Sequence, residues 1–276
     1  MFYERNYTNN DGSLFPVNRS SVLDGTGVCD HFFCTRNGGV SRGIYNSLNF
    51  SFTRGDDPSD VAGNFKRAAA HLGRNAGDIV STVQTHTVNI RHVTSSDMGK
   101  GVTLPLDYND IDALITGESG PVLTVYTADC VPVLFADPVS HVIATAHAGW
   151  KGTLGGIVRK VINEMCSVYG CRPENIRCAI GPCICGKCYE VDRDLADAFR
   201  KEFPEHTENM IWDTVPGKSH IDLRALNRMM LCGENVLPEN IDVSGKCTFC
   251  DPEEFFSNRY HGVNRGNMCA FITMGN

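Results

Sequence analysis

Apolar residues recur along this chain at two spacings, and each predicts a different element. Val61, Phe65, Ala69 and Leu72 fall on one helical face behind Asp57-Pro58-Ser59-Asp60 and ahead of Gly73, which predicts a capped amphipathic helix over 57–72. Leu154, Ile157, Val158, Val161, Ile162 and Met165 repeat the pattern before Gly170. The glycine-containing turn 148–152 leads directly into this second helix, which is predicted to run to about Tyr169. Two more helices are expected over 192–203 and 222–232, the latter ended by Gly233. Shorter apolar runs predict strands at 30–34, 80–93, 111–116, 122–127, 131–135, 141–146 and 176–180. Several of these strands follow one another with no helix between them. The expected fold class is therefore mixed α/β (α+β), a layered sandwich of mixed β-sheet with flanking helices, rather than a doubly wound sheet. No Pro- or Ser-rich linker and no repeat divides the chain, so 1–276 reads as a single domain.

Composition narrows the class. With 42% hydrophobic and 21% charged residues the chain has an ordinary globular balance. Twenty-five basic against 32 acidic residues give a net charge of −7 without blocks of one sign, which argues against a nucleic-acid partner. The N-terminus has no apolar signal segment, and the longest apolar stretch, 121–136, is broken by Asp129. The expectation is a cytoplasmic protein with no membrane partner. Thirteen cysteines in such a chain are expected to stay reduced, most of them as core fillers.

Three residues interrupt the strand pattern at strand ends or junctions, where side chains of a sheet converge on a cleft. They are His86 in Gln84-Thr85-His86-Thr87, Cys130 after Asp129, and His147 ahead of Ala148-Gly149-Trp150-Lys151-Gly152. A thiolate and two imidazoles suit zinc or copper, and three protein ligands leave one coordination position open. Asp129 is the expected carboxylate that orients a ligand or moves a proton. Their separations, 44 and 17 residues, match no short zinc motif. Spacing alone would favour hydrogen-bonded core histidines and a small apolar cysteine.

Longer strings change that balance. Thr35-Arg36-Asn37-Gly38-Gly39-Val40-Ser41, Ser47-Leu48-Asn49, Gln84-Thr85-His86, Asp112-Ala113-Leu114-Ile115-Thr116, Ala128-Asp129-Cys130-Val131-Pro132, Ala146-His147-Ala148-Gly149-Trp150-Lys151-Gly152, Cys188-Tyr189-Glu190-Val191 and Cys247-Thr248-Phe249-Cys250 occur in order over nearly the whole chain. Together they resemble the YfiH/YlmD family, often described as laccase-domain or polyphenol oxidase proteins. The resemblance implies that His86, Cys130 and His147 bind a catalytic zinc. It implies phosphorolysis of adenosine, inosine and methylthioadenosine, with adenosine deamination alongside, so that purine nucleosides and phosphate are the partners. It also implies substrate-side roles for Asn49, Gln84 and Arg259. Near the C-terminus Ser257-Asn258-Arg259-Tyr260 and Arg265-Gly266-Asn267 depart from the family's Ser-Tyr-Arg-Arg and Thr-Gly-Arg.

Other motifs compete for attention. Arg36, before Gly38-Gly39, reads either as a phosphate clamp or as a surface arginine on a turn. Lys151 sits at a predicted helix start with Gly149 and Gly152 and is expected to help hold an anion near the metal. Cys183-Ile184-Cys185-Gly186-Lys187-Cys188 and Cys247-Thr248-Phe249-Cys250 have zinc-like spacing, but the resemblance implies no second metal and they read as reduced thiols. His92 reads as structural, while His31, His71, His141, His206, His220 and His261 show no partners. Two other enzyme classes stay open: a laccase-type oxidoreductase using copper, and a Cys–His hydrolase with Cys130 as nucleophile and His147 as base, tied to peptidoglycan precursor editing. Nine histidines and no His-x-His pair argue against a trinuclear copper cluster. A metal-binding regulatory module is the non-enzymatic alternative. The oligomeric state is unknown from sequence.

Overall fold

The structure, a computed structural model, describes residues 1–204 and 207–275. Its strands form two six-stranded mixed sheets and a smaller three-stranded one. In spatial order the first sheet runs Phe2–Thr8, Leu14–Ser20, Cys29–Cys34, Met268–Met274, Val122–Thr127 and Ile79–Ser81. The second runs Ile241–Val243, Arg177–Ile180, Val131–Asp137, Val142–Ala148, Ala113–Thr116 and Ile90–His92. Pairing is antiparallel except at Ile79–Ser81, Ile90–His92 and Ile241–Val243, each parallel to its neighbour.

Side chains alternate between faces along each strand, and here both faces are covered. Leu123, Val125, Ala270 and Ile272 of the first sheet pack against Leu114, Leu134 and Ile143 of the second. The other face of the first sheet, through Val122 and Phe271, meets Val61, Phe65 and Ala68 of helix Pro58–His71. The other face of the second, through Val131, Val133 and Phe135, meets helices Ile157–Tyr169 and Leu223–Gly233. The order of layers is helix, sheet, sheet, helix. Two-sided burial is why 131–136 is continuously apolar rather than alternating. Phe271 illustrates the packing: fully buried, it meets the rings of Phe32, Phe50 and Phe65, and such burial contributes about 2–3 kcal/mol.

The predicted helices appear where their caps are. Asp57 accepts from the Ser59 amide at 2.8 Å to start Pro58–His71, and Asp222 from the Ala225 amide at 3.0 Å to start Leu223–Gly233. The segment 192–203 forms Arg193–Glu202. Two expectations need correction. The helix expected to continue from 148–152 to Tyr169 is two helices, Trp150–Leu154 and Ile157–Tyr169, because Gly156 at φ 71° lies in the left-handed region. The strand expected over 80–93 is also split. Ile79–Ser81 belongs to the first sheet and Ile90–His92 to the second, with 82–89 crossing between them. The amides of Thr85, His86 and Thr87, which a strand would pair along a ladder, all donate to the carboxylate of Asp112. Strands Phe2–Thr8, Leu14–Ser20 and Met268–Met274 were not expected. Among the described residues no helix is long and apolar enough to cross a membrane.

Candidate metal centre

The crossings between the two sheets build the centre. The first, 82–89, carries His86; the second joins Val122–Thr127 to Val131–Asp137 and carries Cys130. His147 lies opposite Pro132 in strand Val142–Ala148. Both crossings turn through backbone that non-glycine residues seldom adopt: His86 has φ 65° and Asp129 φ 91°. Such conformations persist where the surroundings hold them, and they cluster at functional sites. At His86 the holding group is Asp112, fully buried and bonded to three consecutive amides.

One donor atom from each of His86, Cys130 and His147 lies within 4.8 Å of the others. Cys130 Sγ is 3.8 Å from His86 Nε2, and the two imidazole rings stand 4.9 Å apart at 77°. His147 Nδ1 donates to Asp112 Oδ1 at 2.7 Å, which leaves Nε2 as its free nitrogen. Ligand bonds of about 2.0–2.3 Å to one ion require donors this close together. Gly149 keeps the space open: a Cβ there would lie 2.7 Å from His86 Cδ2 and 3.2 Å from Cys130 Sγ. Burial raises the Cys130 thiol, but the charge of His147 and hydrogen bonds from His147 and His86 outweigh it and bring the pKa to about 6. His147 is pushed down by burial, yet Cys130 and Asp112 raise it to about 9. The pair thus favours the thiolate, the form that ligates metal. His86 is exposed, Cys130 half-buried and His147 buried, so the donors converge at an open mouth. A soft sulfur, two imidazoles and this spacing fit one zinc or copper ion.

Asp112→Asn keeps the side-chain size but removes an acceptor shared by Thr85 and Thr87. It is expected to weaken zinc binding about 10- to 100-fold, read by competition with a chromogenic chelator. Wild-type affinity would show that Asp112 does not position the ligands.

The structure distributes the other expected residues unevenly. Gln84 lines the same cavity of about 390 Å³, but its amide is bonded to the Tyr126 backbone at both ends, donating at 2.8 Å and accepting at 2.6 Å. Asp129 is not the carboxylate that orients a ligand. Its Oδ1 accepts from the Thr248 hydroxyl and its Oδ2 from the Arg259 amide, each at 2.6 Å, and Asp112 takes the orienting role. Asn49 is fully buried, its side chain bonded to Asp56, Ser51 and Asn267, and it does not itself line the cavity, though Ser51 and Asn267 do. Arg36 donates to the carbonyls of Asn46 and Pro252 and lies over the Phe256 ring. Lys151 is exposed, its Nζ 5.4 Å from the Trp150 ring centre. Neither Arg36 nor Lys151 lines the cavity. Arg259 is exposed and donates to the Glu190 carbonyl. Among the remaining histidines, His261 contacts Arg36 at 3.1 Å and His71 contacts Asn9 at 2.9 Å, partners the sequence did not reveal. His92 bonds Tyr169 and Glu164 and is structural as expected, while His206 lies outside the described residues.

Arg265, which the sequence left without a role, also lines the cavity together with Arg54. Arg265 is 6% exposed and, among the described residues, meets no carboxylate. It donates to Gly266 O, Asn267 Oδ1 and Asn258 Oδ1, and its buried Nε has no partner. Burial, then repulsion from Arg54, lowers its pKa to about 10. The signal was obscured because this segment departs from the family's Thr-Gly-Arg.

A family model described as multi-copper polyphenol oxidoreductase laccase matches residues 30–275. A purine nucleoside phosphorylase of Deinococcus radiodurans is 40% identical over 246 residues, 88% of each chain. Adenosine deaminase RL5, from an unknown prokaryotic organism, is 35% identical over 240 residues, 85% of this chain and 90% of that one. The crystal structure of YlmD from Geobacillus stearothermophilus superposes with a TM-score of 0.87 at 34% identity, covering 94% of this chain and 96% of that one.

Proposed function

This chain belongs to the multi-copper polyphenol oxidoreductase laccase family, and from that premise we propose a cytoplasmic, zinc-dependent purine nucleoside phosphorylase with adenosine deaminase activity. Adenosine, inosine and methylthioadenosine are its substrates. The observation that carries this reading is one cavity lined both by the His86–Cys130–His147 donor set and by two arginines.

A phosphate dianion is held by Arg265 and Arg54 through charge-assisted hydrogen bonds, in place of the roles expected for Arg36 and Lys151. Phe52 and Leu106 offer apolar surface to the purine ring. His86, Cys130 and His147 would hold a zinc ion, which would supply a Lewis acid at the cavity. Asp112 fixes the tautomer and orientation of His147. In phosphorolysis a phosphate oxygen bonds to ribose C1′ as the bond to purine N9 breaks, and the proton of the phosphate ends on the departing base. In deamination, water replaces the 6-amino group and ammonia leaves.

A second reading keeps its own observation. The lowered Cys130 thiol, His147 and Asp112 form a Cys–His–Asp arrangement that suits a hydrolase. Chromatography of reactions containing apo, zinc-loaded or copper-loaded protein and a nucleoside panel separates these. We expect free base and ribose 1-phosphate only with zinc and phosphate together, and inosine from adenosine without phosphate. Absence of phosphate-dependent base release overturns the phosphorylase, and phenol oxidation confined to the copper form would favour the laccase reading.

A further inference from the structure

We propose that Cys185, Cys188, Cys247 and Cys250 bind a second, structural zinc ion, separate from the His86–Cys130–His147 centre. The four sulfurs lie within 4.8 Å of one another although the two Cys-x-x-Cys pairs are 62 residues apart. A tetrahedral ion with bonds of about 2.3 Å holds its sulfurs about 3.8 Å apart. Cys188 Sγ and Cys250 Sγ already stand at 3.5 Å, far beyond a disulfide bond of about 2.05 Å.

The fold brings the pairs together deliberately. Arg177–Ile180 and Ile241–Val243 are parallel neighbours in the second sheet, and each pair lies on the loop leaving one of these strands. An isolated bridge between Cys183 and Cys247 extends the pairing to the loops themselves. Each pair sits on a tight turn, closed by Cys188 N donating to Cys185 O at 3.0 Å and by Asp251 N donating to Cys247 O at 3.1 Å. The Cys185 amide donates to Cys247 Sγ at 3.2 Å, a bond that favours the thiolate. Four cysteine sulfurs within tetrahedral reach of one point select zinc over hard cations. The cluster opens to solvent through Cys250, which gives an ion access.

The consequence reaches the first centre. Thr248, inside the second pair, donates to Asp129 beside Cys130, and Asp129 also accepts the Arg259 amide. Zinc at the four cysteines would tie the loop carrying Thr248 to the loop after Ile180 and so hold this wall of the cleft.

The test is metal analysis of the full chain purified without chelators. The double variant His86→Ala, Cys130→Ser should retain about one zinc per chain, and Cys188→Ser, Cys250→Ser should lose one equivalent relative to wild type. Cobalt exchanged into the His86→Ala, Cys130→Ser protein should give the strong near-ultraviolet thiolate-to-cobalt bands of a tetrahedral sulfur site. This measurement keeps the claim decidable should the cysteine variant misfold. No metal in the His86→Ala, Cys130→Ser protein, unchanged metal in the Cys188→Ser, Cys250→Ser protein, iron in place of zinc, or a Cys188–Cys250 disulfide in the mass of the intact chain would each overturn the proposal. Since nucleoside turnover is not the readout, failure here is distinct from failure of the phosphorylase reading.

Discussion

Alanine in place of Gly149 is expected to cut nucleoside turnover at least about 100-fold and to release most of the metal from the His86–Cys130–His147 centre. Gly149 has φ −66° and ψ 177°, extended backbone that alanine adopts without strain. The substitution therefore acts on the metal centre through the new methyl group. That methyl would sit 2.7 Å from His86 Cδ2, inside any ordinary contact, and 3.2 Å from Cys130 Sγ. His86 is the exposed ligand, on a loop rather than a strand, so it yields first. Lengthening one of three ligand bonds by even a few tenths of an ångström takes a zinc site outside its usual range. Fold stability should fall by only about 1 kcal/mol, the cost of a poorer helix cap at the start of Trp150–Leu154. Zinc per chain, turnover and a thermal melt on the same preparation check this. Full occupancy with normal turnover would show that the ligands do not converge on the space beside Gly149.

Arg265→Ala is expected to raise the KM for phosphate about 10- to 100-fold, with deamination, which needs only water, affected far less. Arg265 is a cation buried at the cavity wall with no carboxylate in ion-pair contact among the described residues, and its Nε is unpaired. Burial of an uncompensated charge is costly unless a ligand completes it, and a phosphate dianion would. Arg265→Lys should recover part of the loss, because the charge returns without the planar pair of donors. Lys151→Ala should leave the KM for phosphate near wild type, since Lys151 is exposed and outside the cavity. The measurement is initial rate against phosphate concentration at saturating inosine, paired with adenosine deamination. Equal losses in both activities with zinc retained would make Arg265 a nucleoside-positioning residue. A large Lys151→Ala effect with no Arg265→Ala effect would return the anion site to the helix start.

By itself the sequence determined the elements whose signals are local. Helices Pro58–His71, Arg193–Glu202 and Leu223–Gly233 were legible because apolar spacing agrees with nearby start and stop residues. The short apolar runs at 122–127 and 131–135 identified strands, and the structure then showed them covered on both faces. Strand Phe2–Thr8 was not legible, because it is a mostly exposed edge with no apolar face to read. The residue types of the metal centre were legible only through ordered resemblance. Their separations carry no zinc signature, since His86 and Cys130 meet where two different crossings pass between the sheets. Which carboxylate serves them was a tertiary decision. Asp129 adjoins Cys130 in the chain, yet its φ of 91° and its bonds to Thr248 and Arg259 commit it elsewhere. Asp112, 35 residues from His147, reaches that histidine because Ala113 pairs with Ala146 across the sheet. The convergence of Cys185 and Cys188 with Cys247 and Cys250 has the same origin: two strands distant in sequence lie side by side, and no local spacing encodes which strands will be neighbours.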